Sequence, residues 1–105
     1  MAVGKVSRGG GSYPVELVAD GSGTVVQFSA VSGAILLVEE GSGTLELCVV
    51  AKPGDTPAPL INQESQPCTL SVSDGSAYEF PHACYAATYL VLRGVDGKGT
   101  IFVKG

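Results

Sequence analysis

One pair of residues in this chain has the chemistry of a reactive centre. His82 is the only histidine, and His82-Ala83-Cys84 is the only place where two soft metal ligands stand close together. With Cys48 or Cys68 folded nearby, such a pair could hold zinc, which accepts mixed thiolate and imidazole ligands. Structural zinc sites, however, are built from two closely spaced ligand pairs, and there is one here. The same two residues could also act as base and nucleophile, because imidazole titrates near neutrality. In a strand, positions 82 and 84 would share a face. No nucleophile elbow or oxyanion loop accompanies them. The plainer reading is a corner histidine beside a buried free thiol. No catalytic residue, metal ligand or cofactor is assigned.

Oxygen-rich motifs are the next candidates. Asp20-Gly21-Ser22-Gly23-Thr24, Glu40-Gly41-Ser42-Gly43-Thr44 and Asp96-Gly97-Lys98-Gly99-Thr100 share one spelling, and Asp74-Gly75-Ser76-Ala77-Tyr78 is a degraded fourth copy. Calcium needs six to eight oxygens, and each stretch offers one acid apart from the neighbours Glu39 and Glu40. A phosphate cradle fails too, since no lysine follows in the Walker position and no helix begins there. What paired glycines do supply is positive φ without a Cβ clash. The acid can bond backbone two residues on, and threonine restarts an extended segment. These stretches read as hairpin tips between strands.

The aromatic residues Tyr13, Tyr78, Tyr85, Tyr89 and Phe80 suit either a core or a binding face. A sugar ring could lie against Tyr78, Tyr85 and Arg93 around the Pro81–Tyr85 corner. With no tryptophan to serve as a platform, core packing is the simpler assignment.

The elements that must position these groups are strands. Tyr13–Ala19 places Val15 and Leu17 on one face, and Thr24–Ala30 does the same with Val26 and Phe28. Ala34–Glu39 is apolar on both faces, as a central strand covered on both sides would be. Thr44–Ala51 alternates Leu45, Leu47 and Val49 against Glu46, Cys48 and Val50. Residues 52–67 break the rhythm with four prolines, which exclude a helix or a central strand. Leu60 and Ile61 should anchor that connection to the body or to a neighbour. Strands resume at Cys68–Ser73, Ala77–Phe80, Ala87–Arg93 and Thr100–Lys104. Positions 18–28 and 38–48 match at an offset of 20, as two similar units of a meander would.

Composition agrees. The 105 residues include 15 glycines and are 45 % hydrophobic but only 15 % charged. Common helix formers are sparse, and short strands recur with turns between them. The expected fold is one all-β domain over residues 13–105. It is an antiparallel β-sandwich of about eight short strands, jelly-roll-like or Ig-like, preceded by a flexible glycine-rich arm at 1–12. That arm carries Lys5 and Arg8 and no acid, whereas the other 93 residues hold 4 basic and 10 acidic side chains, a net of −6. A body of that sign repels phosphate, which excludes nucleic acid as a partner. No run is long enough to span a membrane as a helix, and the N-terminus lacks the apolar run of a signal peptide. Three cysteines without a Cys-x-x-Cys fit folding in a cytoplasm.

Residues 74–104 run acidic-Gly turn, Tyr78-Glu79-Phe80-Pro81, a short corner, Ala87-Thr88-Tyr89-Leu90-Val91-Leu92-Arg93-Gly94, then Asp96-Gly97-Lys98-Gly99-Thr100 and Ile101-Phe102-Val103-Lys104. This order resembles the C-terminal half of small β-sandwich virion proteins of tailed bacteriophages, including head decoration or cement proteins. The resemblance implies a structural role on a capsid or tail, made in the host cytoplasm and resident in the virion, with no catalytic residues to carry over. Carbohydrate-binding sandwich modules, with a similar penultimate strand, are the rival. Independently, an acidic β body with a free arm and a long proline-rich loop is suited to gripping other protein, the arm by adding a strand to a neighbour's sheet. The expected partners are further copies of the chain, in a ring such as a trimer, and other virion proteins such as a major capsid protein. The expected contact residues are Lys5, Val6, Arg8, Tyr13, Pro57, Pro59, Leu60 and Ile61.

Overall fold

The computed structural model describes residues 3–7, 12–19, 23–29 and 32–104, and the chain is all-β. The strands are β1 (Val3–Ser7), β2 (Ser12–Leu17), β3 (Thr24–Ser29), β4 (Gly33–Glu40), β5 (Gly43–Val50), β6 (Ala58–Pro59), β7 (Thr69–Val72), β8 (Ser76–Glu79), β9 (Tyr89–Arg93) and β10 (Gly97–Lys104). Among the described residues one 3-10 helix is present, over His82–Ala86. One sheet runs β2-β10-β4-β8. The other runs β1-β3-β9-β5-β6, with β7 paired to a different stretch of β5. Setting aside β1 and the two-residue β6, eight strands remain, ordered β2-β10-β4-β8 against β3-β9-β5-β7. Every passage between consecutive members changes sheet except β5 to β7. That is the strand order of a jelly roll, two Greek keys wrapped into a sandwich.

This topology corrects the hairpin expectation. The four acidic-glycine stretches link β2 to β3, β4 to β5, β7 to β8 and β9 to β10, and each of these pairs lies in opposite sheets. The stretches are corners, and their described parts meet at one end of the sandwich. The Gly94 N–H donates to Val18 O at 2.9 Å and that of Gly75 to Val38 O at 2.7 Å. Asp74 Oδ1 accepts from the Gly41 N–H at 2.8 Å, so this acid bonds a neighbouring corner rather than its own. A Cβ on Gly97 would lie 1.9 Å from Glu40 O, and one on Gly41 2.9 Å from Asp96 O. These glycines are required because two corners touch backbone to backbone.

Between the sheets, alternate residues of every long strand interdigitate: Val15 and Leu17, Leu36 and Val38, Leu45 and Leu47, Leu90 and Leu92, and Ile101. Phe28, Phe80 and Cys84 close this core at the end opposite the corners. The outer faces differ from the sequence reading. β4 is central but covered on one side only, leaving Ile35 43 % exposed. On β5, Cys48 and Val50 are buried although they face away from the core, in a second cluster with Val25 and Val91. Residues 3–7, assigned from sequence to a flexible arm, lie along β3 of the same chain as a parallel strand.

Candidate functional site

The end of the sandwich away from the glycine corners carries the side-chain chemistry. It is built from the β8–β9 connection, the start of β4 and the end of β10. Pro81 directs the chain out of β8, and the 3-10 helix that follows turns Cys84 inward and leaves His82 exposed. Tyr85 is fixed through its hydroxyl, which accepts from the Ala34 N–H at 2.8 Å and donates to Ala34 O at 3.2 Å. Its ring stands edge-on to Phe28 at 5.8 Å and to His82 at 5.7 Å. In front of these groups is an open cavity of about 640 Å³, lined by Ile35, Phe80, Pro81, His82, Tyr85 and Phe102 among others, with Glu79 at its rim. Ile35 and Phe102 are cross-strand partners on the outer face of the four-stranded sheet, 43 % and 47 % exposed. A second hollow of about 320 Å³ lies between Leu60–Glu64 and Pro81–Ala83.

The catalytic and metal candidates do not converge. His82 and Cys84 would share a face in a strand, but here they belong to a tight helix and point apart. Burial, with the thiol of Cys68 nearby, pushes the Cys84 thiol up to about 11, so it stays protonated at neutral pH. The buried Cys48 thiol is likewise raised by burial, against the opposing pull of Arg93. Among the described residues, no group of three or more His, Cys, Asp or Glu is placed to hold a metal ion. The sugar-binding trio is scattered as well. Tyr85 is committed to Ala34. The Tyr78 hydroxyl accepts from the Ser73 N–H at 3.0 Å, and its bonds to Ser73 and Ser76 lower its pKa. Arg93 pairs with Glu46 at 3.4 Å on the outer face of the other sheet.

The contact residues expected from sequence fall into two groups. Lys5 and Val6 lie in β1, opposite Gln27 and Phe28 of β3. Arg8 is outside the described residues. Tyr13, half-buried on the edge strand β2, packs against the core. Pro57 is half-buried, and Pro59 is exposed in β6, opposite Cys48. Leu60 is the true anchor of the long connection: it packs on the core, and its N–H donates to Leu47 O at 3.0 Å. Ile61, expected to share that role, is 51 % exposed. Asn62 then closes the loop, its Oδ1 accepting from the Glu64 and Gln66 N–H groups at 3.0 and 2.9 Å. Thus β1 and the 52–67 connection occupy opposite edges of one sheet. Ile35 and Phe102 were missed. The signal for Phe102 was its place between the inward Ile101 and Val103.

No family model matches the chain, and neither the curated proteins nor the solved structures compared with it give a match.

Proposed function

We propose that this protein is a structural component of a virion, a capsid decoration or cement protein that joins further copies of itself and other virion subunits. The observation that carries the reading is the placement of two elements outside the eight-strand jelly roll. β1 and the proline-rich connection flank opposite edges of one sheet, so one body can be gripped from both sides. Jelly rolls serve in viral capsids, an argument from fold analogy that adds to the likeness over residues 74–104. The exposed Ile35, Phe102 and Ile61 add apolar surface near the same end, where a capsid subunit would dock. The net charge of −6 over residues 13–105 directs the choice toward protein rather than nucleic acid.

Deleting residues 2–11 tests this. The expected result is an intact fold by circular dichroism, since the eight-strand jelly roll is complete without β1. It comes with loss of the discrete oligomer expected of the full chain, whatever non-specific association the uncovered β3 edge permits, and loss of occupancy on the particle it decorates. Unchanged mass and occupancy after the deletion would remove the proposal.

A further inference from the structure

The edges of this sandwich are protected unevenly. β2 carries Pro14, β6 carries Pro59, and β7 and β8 are each four residues long. Proline and shortness are two of the usual ways to keep a sheet from pairing with a stranger. β3 has neither. Its six residues, Thr-Val-Val-Gln-Phe-Ser, contain no proline and no charge, and Val25, Val26 and Phe28 are buried. Left open, that strand would be a regular apolar edge ready to template another chain.

β1 closes it. Five register pairs run from Val3↔Val25 to Ser7↔Ser29, the only parallel pairing among the described strands. β1 is not part of the eight-strand jelly roll, which is complete without it, and among the described strands it pairs with β3 alone. It joins β2 through Arg8-Gly9-Gly10-Gly11, a connection that spans at most about 17 Å. A strand held by one neighbour and tethered by glycines can be handed to the same neighbour in another copy without changing a single ladder bond. Charge favours that transfer. Residues 1–12 carry Lys5 and Arg8 without an acid, while the remaining residues sum to −6. Acidic bodies repel one another, and exchanged basic segments would lie between them.

We propose that in the assembled protein β1 of one copy lies along β3 of the next, in the parallel register seen here, and that this exchange joins the copies. The inference rests on the reading of the chain as an oligomeric structural protein and names the surface that does the joining.

Lys5 and Gln27 are register partners, so Lys5→Cys with Gln27→Cys in a Cys68→Ser background reports where the strand goes. Cys48 and Cys84 are buried in the native protein, and alkylating them as it is denatured keeps their thiols from exchanging with the engineered disulfide. Exchange predicts that the oxidised native protein, denatured without reductant, runs as covalent multimers. It also predicts a mixed disulfide when the Lys5→Cys chain is combined with a tagged Gln27→Cys chain. Deleting two of the three glycines Gly9–Gly11 should keep the strand from reaching its own β3, where the native tether lets it lie, and strengthen the oligomer about tenfold or more. Intrachain bonds alone, no disulfide at all, or indifference to the shorter tether would each overturn the exchange. Light scattering on the same samples separates the two ideas. An oligomer with only intrachain bonds defeats the exchange and keeps the assembly reading, whereas a monomer that binds no particle defeats both.

Discussion

The two ends of this sandwich are held together by different means. At one, four glycine corners lock into each other through backbone: Gly97 against Glu40, Gly41 against Asp96, Gly94 bonded to Val18 and Gly75 to Val38. At the other, side chains do the holding. Phe28 meets Phe80 at 5.9 Å and Tyr85 at 5.8 Å, and the Tyr85 hydroxyl ties down Ala34. Backbone-to-backbone contact leaves no room for variation, whereas side-chain contact leaves the surface free to change. Both hollows and the exposed Ile35, Ile61 and Phe102 accordingly belong to the second end.

The largest test of that contrast exchanges one hydrogen for a methyl group at each end. Gly97→Ala sets a Cβ 1.9 Å from Glu40 O, where neither strand can retreat without opening the β4–β10 ladder. It should destabilise by more than about 3 kcal/mol, or prevent folding. Gly33→Ala, with nothing within 4 Å of its Cβ position, should change stability by less than about 1 kcal/mol. Urea midpoints measure both. Equal effects would erase the distinction between the ends.

The side-chain end should also respond to alkali. The Cys84 thiol is raised from 9.0 to about 11, so between those values the folded state keeps a proton that the unfolded chain has released. Stability is therefore fully present below pH 9 and falls as pH rises toward 11, by up to about 2–3 kcal/mol from this group. Cys84→Ala should flatten that stretch of the pH profile, whatever it costs at neutrality. An equally steep loss in the variant would assign the slope to other groups.

Tyr85→Phe comes next. It keeps the ring packing and removes the oxygen that satisfies the Ala34 N–H and C=O, and Ala34 is buried. The expected cost is about 1–2 kcal/mol, read from thermal or urea unfolding, with the glycine corners unchanged in amide exchange.

Much of this contrast was legible in the chain, and the part that was not has a physical cause. The spelling acidic-Gly-polar-Gly, with its degraded copy at Asp74-Gly75-Ser76-Ala77, marked the four connections at the glycine end, since positive φ and absent Cβ are local needs. β3 to β4 and β8 to β9 also change sheet and carry no such spelling. Which strands each corner joins is set by pairing partners tens of residues away. β2 pairs with β10 and β4 with β8, so a hairpin and a sheet-to-sheet corner look alike in sequence. Periodicity likewise grouped Val15 with Leu17 and Leu45 with Leu47 on shared faces, and those faces turn out to be the inner ones. It could not say which outer face would be covered. Ile35 on β4 and Cys48 on β5 both face away from the core, yet Ile35 meets water and Cys48 does not. At His82-x-Cys84 the plainer reading holds, an exposed corner histidine beside a buried free thiol, and the shared face that an extended chain would have given them is lost because a 3-10 helix follows Pro81.

The smallest expected effect concerns Asp74, the acid that survives in the degraded copy. Its Oδ1 accepts from the Gly41 N–H at 2.8 Å and lies 3.4 Å from the Ser42 hydroxyl, joining the β7–β8 corner to the β4–β5 corner. Both groups are exposed, so water can replace the carboxylate, and Asp74→Ala should cost only about 0.5–1 kcal/mol. Asp74→Asn keeps an acceptor in the same place and should recover most of that loss, which a purely electrostatic role would not allow. The sharper readout is local. If the corners support one another, Asp74→Ala should speed exchange of the Gly41 amide and leave the Asn62 loop at the far end as protected as before. Faster exchange at both ends together would mean that the corners and the side-chain end open as one unit, and the contrast between them would not extend to their dynamics.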